Sequence, residues 1–175
     1  MNPSLLVLFL LIFVIISYLL SSIKVLSEGN VAIVERLGRY QRTLKPGIRF
    51  VIPVLDTVFV ETTREQILDI IPWTSVTKDQ VSTYADSVVY WRIVNVRRAY
   101  YEVEDIERSI ENLVIDAVNR EIEKRGIKNI LISKEEITEK LKKELNQSID
   151  RWGVEITKLV ILEIKVKTES PEIKI

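Results

Sequence analysis

The chain has 175 residues, 47% of them apolar, and its 25 Lys plus Arg balance 25 Asp plus Glu, with no histidine and no cysteine. A net charge of zero without a long basic stripe leaves no field to draw in nucleic acid. The missing residue types exclude disulfides and zinc sites of cysteine and histidine, and they remove the usual general base near neutral pH and the thiol nucleophile.

Leu5 to Ile23 is dominantly apolar and carries no charged side chain, whereas everything after Lys24 is charged and patterned. About 20 apolar helical residues cross a hydrocarbon core of about 30 Å, so residues 1–24 are read as a transmembrane anchor, with Leu5, Phe9, Phe13, Ile16 and Leu20 against lipid. A cleaved signal would want a basic start, a shorter apolar core and a small-x-small site; the basic start is absent, although Ser17, Ser21 and Ser22 are small. A buried core helix would need a protein shell that the remaining residues hardly supply. Lys24, Arg36, Arg39, Arg42 and Lys45 follow the span and none precedes it, so the soluble part is expected in the cytoplasm.

Residues 28–94 read as a β-rich subdomain. Asn30 to Leu37 is β-branched and stops at Gly38, Gly47 to Val54 follows a Pro46-Gly47 turn, and Asp56 to Glu61 alternates. Thr63 to Ile71 is a further strand ended by Pro72, and Val81 to Val94 is a long strand with apolar residues on both faces, expected to be central and covered on both sides. Residues 95–167 read as an α/β subdomain. Ile106, Ile110, Leu113, Val114, Ala117, Val118 and Ile122 fall at helical spacing, with Gly126 placed to end the helix. A second helix opens at Ser133 with the capping-box pattern Ser-Lys-Glu-Glu and carries the stripe Ile137, Leu141, Leu145, Ile149 and Trp152. Gly153 supplies a stop. Val154 to Val166 returns as a strand, irregular near Lys158. Residues 168–175 are expected to be a flexible tail.

The order of an apolar N-terminal segment, EGNVAIVERLGRYQRTLKPGIRFVIPVLDTV, REQILDI, VTKDQVSTYADSVVYWRI and WGVEITKLVILEI resembles the stomatin branch of the SPFH superfamily, also called the prohibitin-homology or band-seven domain. The likeness covers roughly residues 28–165. It implies an α+β fold: a transmembrane helix, then an SPFH domain of short antiparallel strands, two amphipathic helices and a final strand. Arg36, Leu37, Gly38 and Arg39 resemble the family's first hairpin. Lys78, Asp79 and the strand to Ile93 resemble its central sheet, and Trp152 to Glu155 its junction of helix and last strand, with Trp152 as a packing anchor.

Pro46, Gly47, Phe50, Ile52 and Pro53 resemble a segment that in related proteins lies against or dips into the bilayer. Contact there would carry Arg42, Lys45 and Arg49 toward anionic headgroups, each worth about 1 kcal/mol. An ordinary hairpin core is the other reading, and both stay open. Family members continue past the last strand into a long coiled coil; this chain stops at Ile175, which leaves cage-like assembly open. The segment from Tyr100 to Glu123 is more charged than the family's helix there.

No catalytic set emerges. Glu135 and Glu136, Glu121 and Glu123, and Asp69 are carboxylates at spacings that a helix does not bring together, and Ser133 beside Lys134 is better explained as a helix cap than as a Ser-Lys pair. No phosphate loop, dinucleotide fingerprint or nucleophile elbow occurs, and no cofactor or metal site is expected. The chain therefore reads as non-enzymatic; a tethered hydrolase on an unrecognised carboxylate site is the remote alternative. The resemblance implies a membrane scaffold that homo-oligomerises and modulates neighbouring membrane proteins, and association with a membrane-bound serine protease of the NfeD type. The rival is an accessory subunit binding one protease or channel stoichiometrically, without a lattice. Ile106, Ile110, Leu113 and Ala117 would form the docking stripe if their own sheet did not need them; intramolecular packing is the simpler reading.

Overall fold

A computed structural model describes residues 3–125 and 127–166; Gly126 and the expected tail at 168–175 lie outside the described residues. The chain forms two compact units, one running to Arg64 and the other starting at Glu65.

The first unit opens with α1 (Pro3–Ser21), whose uniformly apolar sequence is compatible with a helix but gives it no polar face. Its last turn closes at Ser22, whose N–H reaches the carbonyls of Tyr18 and Leu19, and the chain passes directly into β1 (Ile23–Leu26). Next come β2 (Asn30–Arg36), β3 (Arg39–Leu44), β4 (Gly47–Phe50) and β5 (Asp56–Thr62). All pairing is antiparallel: β1 with β4 in a two-stranded ribbon, and β3-β2-β5 in a second sheet. Leu26, Ala32, Val34, Leu44 and Val51 are buried together, with Val58 packed against them. The strand expected from Gly47 to Val54 ends at Phe50, because Val51–Leu55 bends away to place Val51 in this core.

The second unit is a two-layer α/β arrangement. Its antiparallel sheet has the order β6-β7-β8, built from β6 (Gln66–Val76), β7 (Ser82–Ile93) and β8 (Val154–Val166). The β6 and β7 strands, grouped by sequence with the N-terminal strands, thus share a sheet with the last strand. Pro72 does not end β6 but sits where its register with β7 slips between Ile70 and Trp73, a position at which a missing N–H is tolerated. The irregularity expected near Lys158 falls at Thr157, and a second lies at Leu162. On β7 the odd positions Thr83 to Ile93 are buried, while Tyr84 and Arg92 are exposed and Asp86, Val88 and Tyr90 half-buried, so the strand is covered fully on one face only.

The helices are α2 (Val96–Glu102), α3 (Ile106–Lys124), α4 (Ile127–Ile132) and α5 (Lys134–Ile149). Asn95 and Asp105 cap α2 and α3, accepting from the backbone N–H of Arg98 at 3.2 Å and Arg108 at 3.0 Å. The capping box expected at Ser133 is not formed. Because α4 ends directly on this residue, with the Ser133 N–H still bonded to the Asn129 carbonyl, its backbone is not in the extended conformation that turns a cap side chain onto the next helix. The core lies between helices and sheet: Ile110, Val114, Ala117, Val118 and Ile122 of α3, and Ile137, Leu141, Leu145 and Ile149 of α5, are buried with Val89, Trp91, Ile156 and Ile161. Trp73 Nε1 donates to Asn119 at 2.7 Å and fixes α3 on β6.

Candidate membrane-contact surface

No residue of the window Ser4–Ser21 is covered by the rest of the chain, and the helix is long and apolar enough to cross a membrane. The buried-core reading of this segment therefore fails: Leu5, Phe9, Phe13, Ile16 and Leu20 all point away from protein. About 19 residues at about 1.5 Å each give a length about equal to a hydrocarbon core, and β1 starts where that length ends.

The β1–β4 ribbon begins there. Ile23 lies opposite Phe50 and Val25 opposite Ile48. Directly opposed residues in an antiparallel pair share a face, so these four apolar side chains form one surface. Val25 is 73% exposed, Ile48 65% and Phe50 66%. After Phe50 the chain runs back toward the anchor, and the Val51 N–H donates to the Ser22 carbonyl at 2.9 Å. The turn Val51–Leu55 thus sits at the foot of α1 and exposes Ile52, Val54 and Leu55.

This turn is held by Asp56. Arg36 donates to both its carboxylate oxygens, at 2.8 and 3.3 Å, and the Ile52 N–H donates to Oδ2 at 2.9 Å. The Arg36 hydrogen bond, then the Ile52 N–H, hold the Asp56 carboxyl below its ordinary value. The neighbouring hairpin turn at Leu37-Gly38 is tied to the same loop by the Leu37 N–H on the Leu55 carbonyl, at 3.2 Å.

Of the residues singled out by sequence, Phe50, Ile52, Arg42 and Lys45 are exposed, and Pro46, Pro53 and Arg49 are half-buried. Arg42 Nη2 donates to the Phe50 carbonyl at 2.6 Å, and Arg49 donates to the carbonyls of Lys45 and Pro46 at 2.9 and 3.0 Å. These bonds tie both guanidiniums to the turn and the ribbon edge. The sequence reading missed Ile23, Val25, Ile48, Val54 and Leu55. Alternation of apolar residues with Lys24 and Arg49 was the available signal, masked because Ile23 was absorbed into the anchor.

On α3, Ile110 and Ala117 are fully buried under their own unit, which removes them from the docking stripe; Ile106 and Leu113 are half-buried. The candidate carboxylates separate. Glu135, Glu136, Glu123 and Asp69 are exposed, and Lys134 donates to the Leu162 carbonyl at 3.0 Å. Glu121 alone is buried, accepting from Lys140 at 2.9 Å with Arg125 at 3.3 Å and Lys124 at 3.6 Å. The Lys140 hydrogen bond outweighs burial and keeps its carboxyl below the ordinary range. A carboxylate so neutralised is a poor proton acceptor. The cleft beside it, lined by Val118, Ile122, Ile137, Ile161 and Ile164, encloses about 10 Å³, room for about one water. Among the described residues no three metal-ligating side chains gather.

Residues 24–171 match the family described as SPFH domain / Band 7. Similar proteins include an uncharacterized protein of Methanocaldococcus jannaschii, 35% identical over 83% of this chain and 73% of its own length. Human stomatin-like protein 2, mitochondrial, is 32% identical over 77% of this chain and 38% of its own length. A stomatin homolog of Pyrococcus horikoshii is 27% identical over 93% of this chain and 59% of its own. The chain thus spans less than two thirds of the length of each of the two stomatin relatives.

Proposed function

The chain belongs to the SPFH domain / Band 7 family as a stomatin-like member, and from that premise we propose a membrane-anchored, non-enzymatic scaffold that homo-oligomerises and organises or modulates neighbouring membrane proteins. In this reading α1 spans the bilayer, the soluble part faces the cytoplasm, and a membrane-bound serine protease of the NfeD type is among the neighbours.

One observation carries it. An apolar helix of membrane-spanning length runs without a linker into a ribbon whose outward face is also apolar, so anchor and first sheet present one continuous hydrophobic surface. Phe50 and Ile52 then act in the interface, beside Pro46 and Pro53. The scaffold reading, rather than catalysis, is supported by a buried carboxylate that is spent on three cations.

Carbonate washing of membranes followed by sizing of the detergent-extracted protein tests the proposal. Retention in the membrane and a large homogeneous homo-oligomer are expected. Release by carbonate refutes the anchor, and a small complex with one foreign protein replaces the scaffold with a stoichiometric accessory subunit. Replacing Ile48 and Phe50 with Ser is expected to leave retention intact while increasing accessibility of the ribbon to water-soluble label.

A further inference from the structure

The sheet of the second unit has two outer strands, and the fold treats them differently. Along β8, side chains of α5 occupy backbone groups: Asn146 bonds both groups of Ile156, and Lys134 donates to the Leu162 carbonyl at 3.0 Å. Residues 66–70 of β6 have no such guard; among the described residues their backbone is bonded by β7 alone. Native proteins blunt open edges with charge, cover or short length, because an apolar edge left bare accepts another strand. This one is apolar apart from Asp69, with Ile67 63% and Ile71 76% exposed, Leu68 half-buried and Ile70 buried. Its register with β7 is regular from Gln66 opposite Trp91 to Ile70 opposite Ser87 and slips at Pro72, which has no N–H to offer, so the open run has a defined end.

A helix flank walls this edge. Trp73 Nε1 bonds Asn119, and the Lys78 N–H bonds the Arg125 carbonyl at 3.2 Å, so α3 runs in the same direction as β6. Ile115 and Glu111, one and two turns before Asn119 and both half-buried, therefore continue the same side of α3 toward residues 66–70. The groove is acidic: Asp69, Glu111 and Asp116 are in no ion pair among the described residues. Arg108 is the cation on this flank, one turn before Glu111; Lys158 lies over the Tyr90 ring two strands away, and Lys78 and Arg125 stand beyond the far end of β6. We propose that residues 66–70, walled by α3, take up an extended segment of a partner protein as a fourth strand, with a basic side chain opposite Asp69 and apolar side chains on either side of it. Backbone bonds would hold the segment and cross-strand neighbours select it: in an antiparallel pairing the residues flanking the base fall opposite Leu68 and Ile70, on the face toward Ile115. A second copy fits less well, since β6 against β6 brings two acidic grooves together. The inference is independent of the reading of α1 as a bilayer anchor.

Full-length protein in phosphatidylcholine nanodiscs, labelled with nitrogen-15 on isoleucine and leucine, is titrated with three end-capped pentapeptides: Thr-Val-Lys-Val-Thr, Thr-Val-Glu-Val-Thr, and the lysine peptide N-methylated at its three central residues. Saturable shifts of the Ile67, Leu68 and Ile70 amides are expected with the lysine peptide, binding about fivefold weaker with the glutamate peptide, and none with the N-methylated one, which keeps the side chains but cannot pair. Asp69→Lys, a change at an exposed side chain, should reverse the order of the two charged peptides while native circular dichroism is kept. Absence of a saturable shift at these amides, equal affinity of the wild type for both charges, or shifts confined to β8 overturns the proposal. So does a change in the same amides with protein concentration alone, which assigns the edge to a second copy.

Discussion

The side-chain amide of Asn146 hydrogen-bonds both backbone groups of Ile156, Nδ2 donating to the carbonyl at 2.9 Å and Oδ1 accepting from the N–H at 2.8 Å. Asn146 on α5 therefore stands in for a neighbouring strand along the free side of β8. Asn146→Leu leaves a donor and an acceptor unpaired and is expected to cost about 2 kcal/mol. Thermal unfolding checks this, with a fall in Tm of roughly 5 °C. Light scattering checks the second consequence, association through the uncovered strand edge.

Two glycines with similar backbone angles are expected to respond differently to the same change. Gly153 has φ +71°, and a β-carbon there would meet the Asn95 carbonyl oxygen at 2.5 Å and the Arg98 Cβ at 2.8 Å; Gly38 has φ +76° and open space around it. Gly38→Ala should cost about 1 kcal/mol, from backbone strain alone. Gly153→Ala adds a clash with the Asn95 carbonyl, which accepts the Ala99 N–H, and disturbs the Gly153 carbonyl, which accepts the Val94 and Asn95 N–H groups, and at least about 3 kcal/mol is expected. Equal costs in urea unfolding would refute the distinction.

Glu121 tests the charge cluster. Its folded carboxyl lies below its unfolded value of about 4.3, so its contribution is fully present above that pH and is lost as pH falls through the lower folded value. Glu121→Gln should destabilise by about 2 kcal/mol at neutral pH. The gap between wild type and variant should close on acidification, as urea midpoints across an acid pH series would report. A gap that widened toward acid would contradict the pairing with Lys140, Arg125 and Lys124.

Asp56 gives a local readout. The Ile52 N–H bonds its carboxylate, and hydrogen bonds from Arg36 and that N–H keep the acid form from appearing until pH falls below the usual Asp value of about 3.9. The Ile52 amide resonance should therefore titrate with a midpoint below that value, and Asp56→Asn should remove the titration and speed amide exchange across Val51–Leu55. A midpoint at or above the usual value would show that the Arg36 contact does not form in solution.

Periodicity made the long elements legible. The stripes of α3 and α5, the β-branched run of β8 and the apolar length of α1 each advertise one structure on their own. Shorter elements did not. In β1, four residues after a hydrophobic run read as its continuation, and α4 has only six residues, too few for a helical stripe to stand out. Pairing partners were also hidden, since nothing local in Gln66–Val76 says that its sheet is completed by a strand that returns only at Val154. Residue types left Phe50 and Ile52 open between a bilayer contact and a hairpin core, and the structure exposes both; the hydrogen bonds of Arg42 and Arg49 depend on carbonyls that only the turn brings near. Val54 was misread because a valine after an apolar strand looks like more strand. Its left-handed backbone follows from the Asp56 contacts, not from its own preference.

The join between α1 and β1 has a mechanical consequence. With Ser22 bonded back to Tyr18 and Leu19 and forward to Val51, no hinge residue separates the helix from the ribbon. In the anchored state proposed above, a bilayer thicker or thinner than the helix would change its tilt, since such mismatch is relieved for fractions of a kcal/mol per ångström. The ribbon, bonded to Ser22 through Val51, would then turn with the helix, so that its exposure to label would vary with bilayer thickness.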